Sequence, residues 1–350
     1  MDTTGYESAG SAEPAPPVVA GPDAAAVIAA PLSPWATGWR SLLLRPEMGL
    51  PLITLLFGVY LAFASQYFLQ YQNILNITEA IAVLGIAASF ATVVVVSGGI
   101  DLTPVTVEVM AGIVCLHALN GGIPVPLVVL LALAAAAGIG LLNGLLIGLG
   151  RVHSIIVTFG MLNILRVVSF KATGGKWLSG VPGKLNYFGN GTLLKLPFAW
   201  WIAMALGAAA TYYLRRRPTG RHLYALGGNA ETARLAGVAV LKRTIFVYAI
   251  TGTLVGVASI VFVGGTSVIQ TNVGVGFELD VIAAVVIGGT SILGGKGSVV
   301  GTLLGALLVG TIRNALVVVN ASALYTGLIL GGLILVTVGL DLLRRRGREA

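Results

Sequence analysis

Residues 124–149 read PVPLVVLLALAAAAGIGLLNGLLIGL, an apolar stretch without a charged side chain. A lipid hydrocarbon core takes roughly 20 such residues as a helix. The stretch is apolar all round rather than along one stripe, as helices in lipid or inside a bundle are. Comparable runs lie at 48–68, 79–97, 103–119, 155–170, 197–214, 244–265, 280–293, 298–319 and 323–343. Together they predict about ten spans, with 155–170 and 280–293 the shortest for the purpose. The expected fold is an all-α polytopic membrane protein.

Composition agrees. The chain is 56% hydrophobic and 10% charged, where soluble domains carry roughly 25% charge. Its mean hydropathy is +0.94. The 48 glycines suit membrane helices, in which small residues let backbones approach. The formal charge of +8 does not point to nucleic acid, because the positive residues lie in short loops between apolar runs. Cys115 is alone, so no disulfide framework exists, and it reads as a packing residue.

Residues 1–34 are rich in Ala, Pro and Gly and acidic at Asp2, Glu7, Glu13 and Asp23. They lack the basic and compact apolar regions of a signal peptide. They read as a disordered cytoplasmic tail. The expected organisation is a tail over 1–40, a membrane domain over 41–343 and a basic cytoplasmic C-terminus over 344–350.

Basic residues set the expected orientation. Arg40 and Arg45 precede the first span. Arg151–His153, Arg215–Arg217 with Arg221, Lys242–Arg243, Lys296 and Arg344–Arg348 then fall on one side. Both termini are thereby expected in the cytoplasm. Lys171, Lys176, Lys184 and Lys195 disagree, since they face outside in this arrangement. Their loop, 172–196, also holds Trp177, Pro182, Asn186, Tyr187 and Phe188. It reads as an interfacial anchor or as a surface for an external partner.

The one sizeable inner loop is 215–243, RRRPTGRHLYALGGNAETARLAGVAVLKR. Gly227 and Gly228 read as a flexible turn. Asn229 is a good N-cap, Glu231 falls in the first turn and Gly237 suits C′. A short helix over Ala230–Ala236 is expected, with Glu231 and Arg234 exposed. On local sequence it is a connector or a docking element.

Two segments echo each other: VVVVSGGIDLTPVTVEVMAGIV (93–114) and AAVVIGGTSILGGKGSVVGTLLGALLV (283–309). Each runs apolar, then Gly-Gly, then a polar break, then apolar again. Two related halves fit a transporter built from repeats.

No motif for catalysis emerges. GGTSILGGKGS (288–298) departs from a phosphate loop at Thr290 and Gly297, and joins two membrane runs. His117, His153 and His222 lack metal-ligand spacing. Neither G-x-S-x-G nor HExxH occurs. Acidic residues near the spans are Glu79, Asp101, Glu108, Glu278 and Asp280. Glu108 and Arg166 lie deepest in their runs and are expected to pair inside the bundle, structurally or as a relay.

Four blocks resemble the membrane permease subunits of sugar-type ABC importers, such as the ribose, xylose, galactose, rhamnose and autoinducer-2 permeases. They are SGGIDL (97–102), NGLLIGLGRVHSIIVTFGMLNILR (143–166), GRHLYALGGNAETARLAGV (220–238) and GFELDVIAAVVIGGTSILGGKGSVVGTLLGALLVG (276–310). The resemblance runs from about Gly49 to Leu343. It implies a bacterial inner-membrane protein paired with a second permease copy or homologue. It also implies two cytoplasmic ATPase domains, which alone use ATP, and an extracytoplasmic sugar-binding protein. No cofactor, metal or catalytic residue is implied in this chain. The 220–238 block corresponds to the loop that contacts the ATPase, with Gly228, Asn229, Glu231, Arg234, Leu235 and Gly237 as coupling residues. Gly98, Gly99, Gly288, Gly289, Gly301, Gly305 and Gly310 are expected to pack helices closely and let bundle faces move as units.

One departure stands out. Family members continue Gly-Gly-Ile-Asp-Leu with Ser and a small turn. Here Thr103-Pro104-Val105-Thr106 follows, then Glu108. Pro104 suits a first helical turn. TGGKWLSGVP (173–182) looks more like the rhamnose and autoinducer-2 permeases. The rival readings are an ion-coupled sugar carrier without an ATPase and a membrane-embedded enzyme acting on lipids. The latter requires a nucleophile and base cluster that the sequence does not display.

Overall fold

The computed structural model describes residues 49–179, 183–269, 274, 276–322 and 324–349. The tail expected over 1–40, with Arg40 and Arg45, lies outside the described residues.

The helices are α1 (Gly49–Ala64), α2 (Tyr71–Val96), α3 (Pro104–Asn120), α4 (Val125–Gly148), α5 (Ser154–Thr173), α6 (Gly183–Asn190), α7 (Phe198–Arg216), α8 (Pro218–Gly228), α9 (Ala230–Leu235), α10 (Val240–Thr266), α11 (Phe277–Ile287), α12 (Val299–Val318) and α13 (Leu324–Glu349). Strands among the described residues are two-residue pieces. β1 (Leu178–Ser179) pairs antiparallel with β4 (Val268–Ile269), and β2 (Thr192–Leu193) with β3 (Leu196–Pro197).

Each apolar run contains a helix, and among the described residues five are long and apolar enough to cross a membrane: α2, α4, α5, α10 and α12. The run at 280–293 is not a single span. α11 has 11 residues, which reach only about 16 Å. Gly289 stops it by adopting φ +85°, a left-handed conformation that favours glycine. Gly289 N then donates to Val286 O at 2.9 Å and Thr290 N to Val285 O at 3.1 Å. α2 ends in the same way. Gly98 has φ +86°, Gly98 N donates to Val95 O at 2.9 Å and Gly99 N to Val94 O at 3.1 Å. The echo between 93–114 and 283–309 is thus matched by like helix ends.

α2 is the centre of the bundle. Its residues from Ile81 to Val96 are all buried, and it packs on α7, α10, α11 and α12. α4 crosses α10 through small residues. A Cβ on Gly252 would lie 2.5 Å from Ala136 O, and one on Gly144 2.9 Å from Ile245 Cα. The outer faces of α4 and α5 expose Leu130, Leu142, Ile156, Phe159 and Val167. Helices that are apolar both inward and outward suit a lipid surround.

Contacts sort the loops onto two ends. At one, Ile100 N donates to Ser154 Oγ at 3.1 Å, and Tyr224 OH to Gly297 O at 2.9 Å. This end gathers the turns after α2, α4, α7 and α11, with Arg151, Arg215–Arg217, Arg221 and Lys296. At the other, Tyr71 OH donates to Lys195 O at 3.3 Å. Asn190 Nδ2 donates there to Gly265 O at 3.0 Å, and β1 meets β4. That end carries Lys171, Lys176 and Lys195. Within the 172–196 loop, α6 packs on α10.

Candidate functional site

Toward the lysine-bearing end, α2, α3, α10, α11 and α12 line an open cavity of about 370 Å³. Asn76 and Glu79 face it from α2, Glu108 from α3, Phe262 and Thr266 from α10, Phe277 and Asp280 from α11, and Arg313 from α12. α2 and α10 meet closely at the rim: a Cβ on Gly265 would overlap Glu79 Oε1. Arg313 Nη2 lies 2.6 Å from Asp280 Oδ2. The two groups form an ion pair at the cavity wall, and Arg313 Nε has no hydrogen-bond partner among the described residues.

The expected pairing of Glu108 with Arg166 is corrected. Arg166 Nη2 bonds Glu278 Oε1 at 3.1 Å, and Glu278 Oε2 accepts from Gly276 N at 3.1 Å. Arg166 sits half-exposed beside the start of α11. Glu108 lines the cavity, and its backbone carbonyl accepts from Ser259 Oγ at 2.6 Å. Arg313 escaped the sequence reading because it sits alone in an apolar run. An arginine so placed is itself a signal, since ionisable groups at membrane depth are costly.

Asp101 builds the entry to α3. Its Oδ1 accepts from Thr103 N at 2.8 Å and from Thr103 Oγ1 at 2.6 Å. Thr103 Oγ1 accepts in turn from Asn143 Nδ2 at 3.2 Å. Pro104 then opens the helix, where its missing N–H leaves no bond unmade. The departure at 103–106 is a compact helix start.

At the arginine-rich end, α8 and α9 form the inner loop. α9 covers Ala230–Leu235, capped by Asn229 Oδ1, which accepts from Thr232 N at 2.9 Å. Glu231 and Arg234 are exposed and bond each other through Nη2 and Oε1 at 2.6 Å. That bond holds the Glu231 carboxyl below the ordinary carboxylate range. Leu235 is 74% exposed, and Gly237 ends the turn with φ +84°.

α8 was not expected, and Gly227-Gly228 is not a flexible turn. Both residues close α8, and Gly227 is wedged between the turns that follow α2 and α11. A Cβ on it would overlap Val96 O and lie 2.6 Å from Gly295 N and 3.0 Å from Gly98 N. A Cβ on Gly294 would lie 2.8 Å from Gly227 O and from Gly98 Cα. Three glycine-bearing segments distant in sequence therefore meet at one point.

The remaining glycines divide. Gly288 abuts Gly301 and Thr302 backbone, at 2.6 Å from a built Cβ, and Gly305 abuts Ala284 O where α11 crosses α12. A Cβ on Gly99 would lie 2.5 Å from Tyr248 OH, and one on Gly310 2.5 Å from Ile81 Cγ1. Gly289 has nothing within 4 Å, so it serves backbone conformation rather than packing. Among the described residues no group of His, Cys, Asp and Glu is arranged to hold a metal ion.

A family model described as branched-chain amino acid transport system / permease component matches residues 73–338. A ribose import permease protein of Escherichia coli (strain K12) is 37% identical over 281 residues, covering 79% of this chain and 88% of the relative. An L-arabinose ABC transporter permease protein of Azospirillum brasilense is 29% identical over 302 residues, covering 86% and 89%. An autoinducer 2 import system permease protein of Yersinia enterocolitica is 32% identical over 287 residues, covering 82% and 79%.

Proposed function

The chain belongs to the family described as branched-chain amino acid transport system / permease component, and we propose that it is the permease subunit of an ABC importer for a monosaccharide. The observation that carries this is the match to a ribose import permease over 88% of that relative's length. The ribose and arabinose relatives favour a pentose or similar sugar as the substrate, while TGGKWLSGVP keeps the rhamnose and autoinducer-2 type of substrate as the alternative.

In this reading two permease copies, or this chain and a homologue, form the pathway in the bacterial inner membrane. Two ATPase domains bind and hydrolyse ATP on the cytoplasmic side, and an extracytoplasmic binding protein delivers the sugar. The chain itself supplies no nucleotide chemistry. About ten membrane segments, with both termini in the cytoplasm, are supported by the gathering of Arg151, Arg215–Arg217 and Lys296 at one end. α9 would take the ATPase stroke, and Leu235, Glu231 and Arg234 are its accessible groups. The Gly227 contact would pass that motion to α2 and α11, shifting a balance between outward- and inward-open states.

The test is uptake of labelled ribose and arabinose, with leucine as the amino-acid control, into vesicles holding the permease with its ATPase and binding protein. Sugar uptake that needs ATP and both partners and survives an uncoupler is the expected result. Uptake by the chain alone that an uncoupler abolishes would replace this reading with an ion-coupled carrier.

A further inference from the structure

At the arginine-rich end, α7, α8 and α10 meet around Tyr213. A Cβ on Gly220 of α8 would overlap Tyr213 O, and the Phe246 ring of α10 lies 6.1 Å from the Tyr213 ring. Arg215, Arg216, Arg217, Arg221 and Lys242 stand exposed on these elements, and Arg243 is half-buried one turn before Phe246. Among the described residues none of these cations is in an ion pair. Glu231, the acidic residue of the segment 215–243, is bonded to Arg234. Asp101, the carboxylate at the entry to α3, is bonded to Thr103. Cations gathered this densely repel one another until a counter-charge joins them.

The same junction holds donors without acceptors. Tyr213 OH, His222 Nδ1 and Arg243 Nε are buried and have no hydrogen-bond partner among the described residues. Such atoms are rare and call for an explanation. All three can donate, the histidine in the tautomer that carries hydrogen on Nδ1. Their side chains are only half-buried, so rotation toward the surface presents them to an anion there. Phosphate oxygens suit them, because charge-assisted hydrogen bonds from arginine are strong.

Apolar neighbours decide what carries the phosphate. Tyr212, Leu241 and Phe246 are exposed, within two turns of the ends of α7 and α10. Arg217 lies 5.6 Å over the Tyr212 ring. Aromatic and basic side chains side by side at helix ends mark the level of lipid headgroups, and clusters of 4–8 Lys and Arg there attract anionic lipids. A soluble anion uses the charges alone; a phospholipid also covers the apolar surface. We propose that the junction of α7, α8 and α10 binds one anionic phospholipid, its phosphate on Arg243 and Tyr213 and its chains along Tyr212 and Phe246. The site does not depend on which substrate the chain carries.

The test is thermal unfolding of the full chain in micelles with dioleoylphosphatidylglycerol, dioleoylphosphatidylcholine or glycerol 3-phosphate. Phosphatidylglycerol at about ten times its dissociation constant should raise the unfolding temperature by about 3 °C, and the other two should not. Arg243→Gln should weaken binding about tenfold, which cuts that shift to about a third. Tyr213→Phe should weaken it about threefold. Both variants should unfold like the unmodified chain in phosphatidylcholine, since the atoms they lose have no partner in the protein; a merely structural role would lower both lipids alike and overturn the site. Lys176→Gln, at the opposite end, should leave the shift intact; an equal loss there would reduce the effect to general charge attraction. Equal stabilisation by phosphatidylcholine would also overturn the proposal, as would glycerol 3-phosphate reproducing the shift, which would make this a soluble-anion site. In the complete importer, native mass spectrometry should find phosphatidylglycerol retained and Arg243→Gln releasing it. Its exclusion once the ATPase is present would give the surface to the ATPase and overturn the lipid site in the working transporter.

Discussion

The Gly295 amide donates to the Val96 carbonyl at 3.0 Å. Val96 ends α2, where carbonyls lack partners within the helix. The partner it finds comes from the turn after α11, about two hundred residues along the chain. Gly227, closing α8, packs on both residues. The inner loop is thus joined directly to the ends of α2 and α11 at Gly227.

Gly227→Ala tests that junction. The added methyl would overlap Val96 O and crowd Gly295 N at 2.6 Å. Overpacking of this kind costs about 1–3 kcal/mol. Gly228 has nothing within 4 Å, so Gly228→Ala should leave stability unchanged. Thermal unfolding in detergent should therefore separate two neighbouring variants of identical chemistry. Equal unfolding temperatures would show that the turns do not meet at Gly227.

Asn229→Ala removes the side-chain acceptor that caps α9, a loss of about 1 kcal/mol for an N-cap. The bundle should stay folded while sugar-stimulated ATP hydrolysis falls, because only the loop helix frays. Exchanging Glu231→Arg together with Arg234→Glu keeps the local pair but reverses the charges shown to a partner. Coupling should fall in that double variant; coupling retained would mean that the pair only holds the loop. pH should not mimic these changes near neutrality. Glu231 has a depressed carboxyl pKa, so the pair is complete above the ordinary value of about 4.3. It is lost only as pH falls through the lower folded value. ATP hydrolysis measured from pH 6 to 8 should show no step from this pair.

Much of this was legible in the sequence because it is local. Apolar length marks the long helices, Asn229 three residues before Thr232 marks a cap, and Gly237 marks a stop. What stayed hidden depends on contacts across the chain. Arg166 meets Glu278 rather than Glu108 because the fold brings the start of α11 within 3.1 Å of the arginine, which no spacing within either segment encodes. Gly227-Gly228 looked mobile because glycine pairs are locally permissive. In the bundle the absent side chains admit Val96 and Gly295. Arg313 vanished into an apolar run whose average outweighs one charge.

The two ends of the bundle give a direct test of orientation. Lys176 and Arg217 are both exposed, at opposite ends. In a Cys115→Ala background, Lys176→Cys should react with an impermeant maleimide in intact cells. Arg217→Cys should react only after permeabilisation. The Arg-rich end is the one that positive-inside sorting keeps in the cytoplasm. The opposite labelling pattern would invert the protein and move the inner loop away from any cytoplasmic ATPase.

The Asp280–Arg313 pair gives the sharpest energetic prediction. The Asp280 side chain is 2% exposed and that of Arg313 42%. Arg313→Met leaves the carboxylate buried beside the Glu278 and Glu108 segments with no counter-charge. Breaking a fully buried pair costs about 3–5 kcal/mol, and the exposure of Arg313 places this one at the lower end, about 3. Asp280→Asn alone should cost less, because the arginine keeps access to the polar cavity. The double variant Asp280→Asn with Arg313→Met should recover most of the stability lost by Arg313→Met, since no buried charge remains unpaired. Unfolding of the four proteins in detergent closes the cycle. Additive losses in the double variant would show that the two groups do not interact, whatever their separation of 2.6 Å.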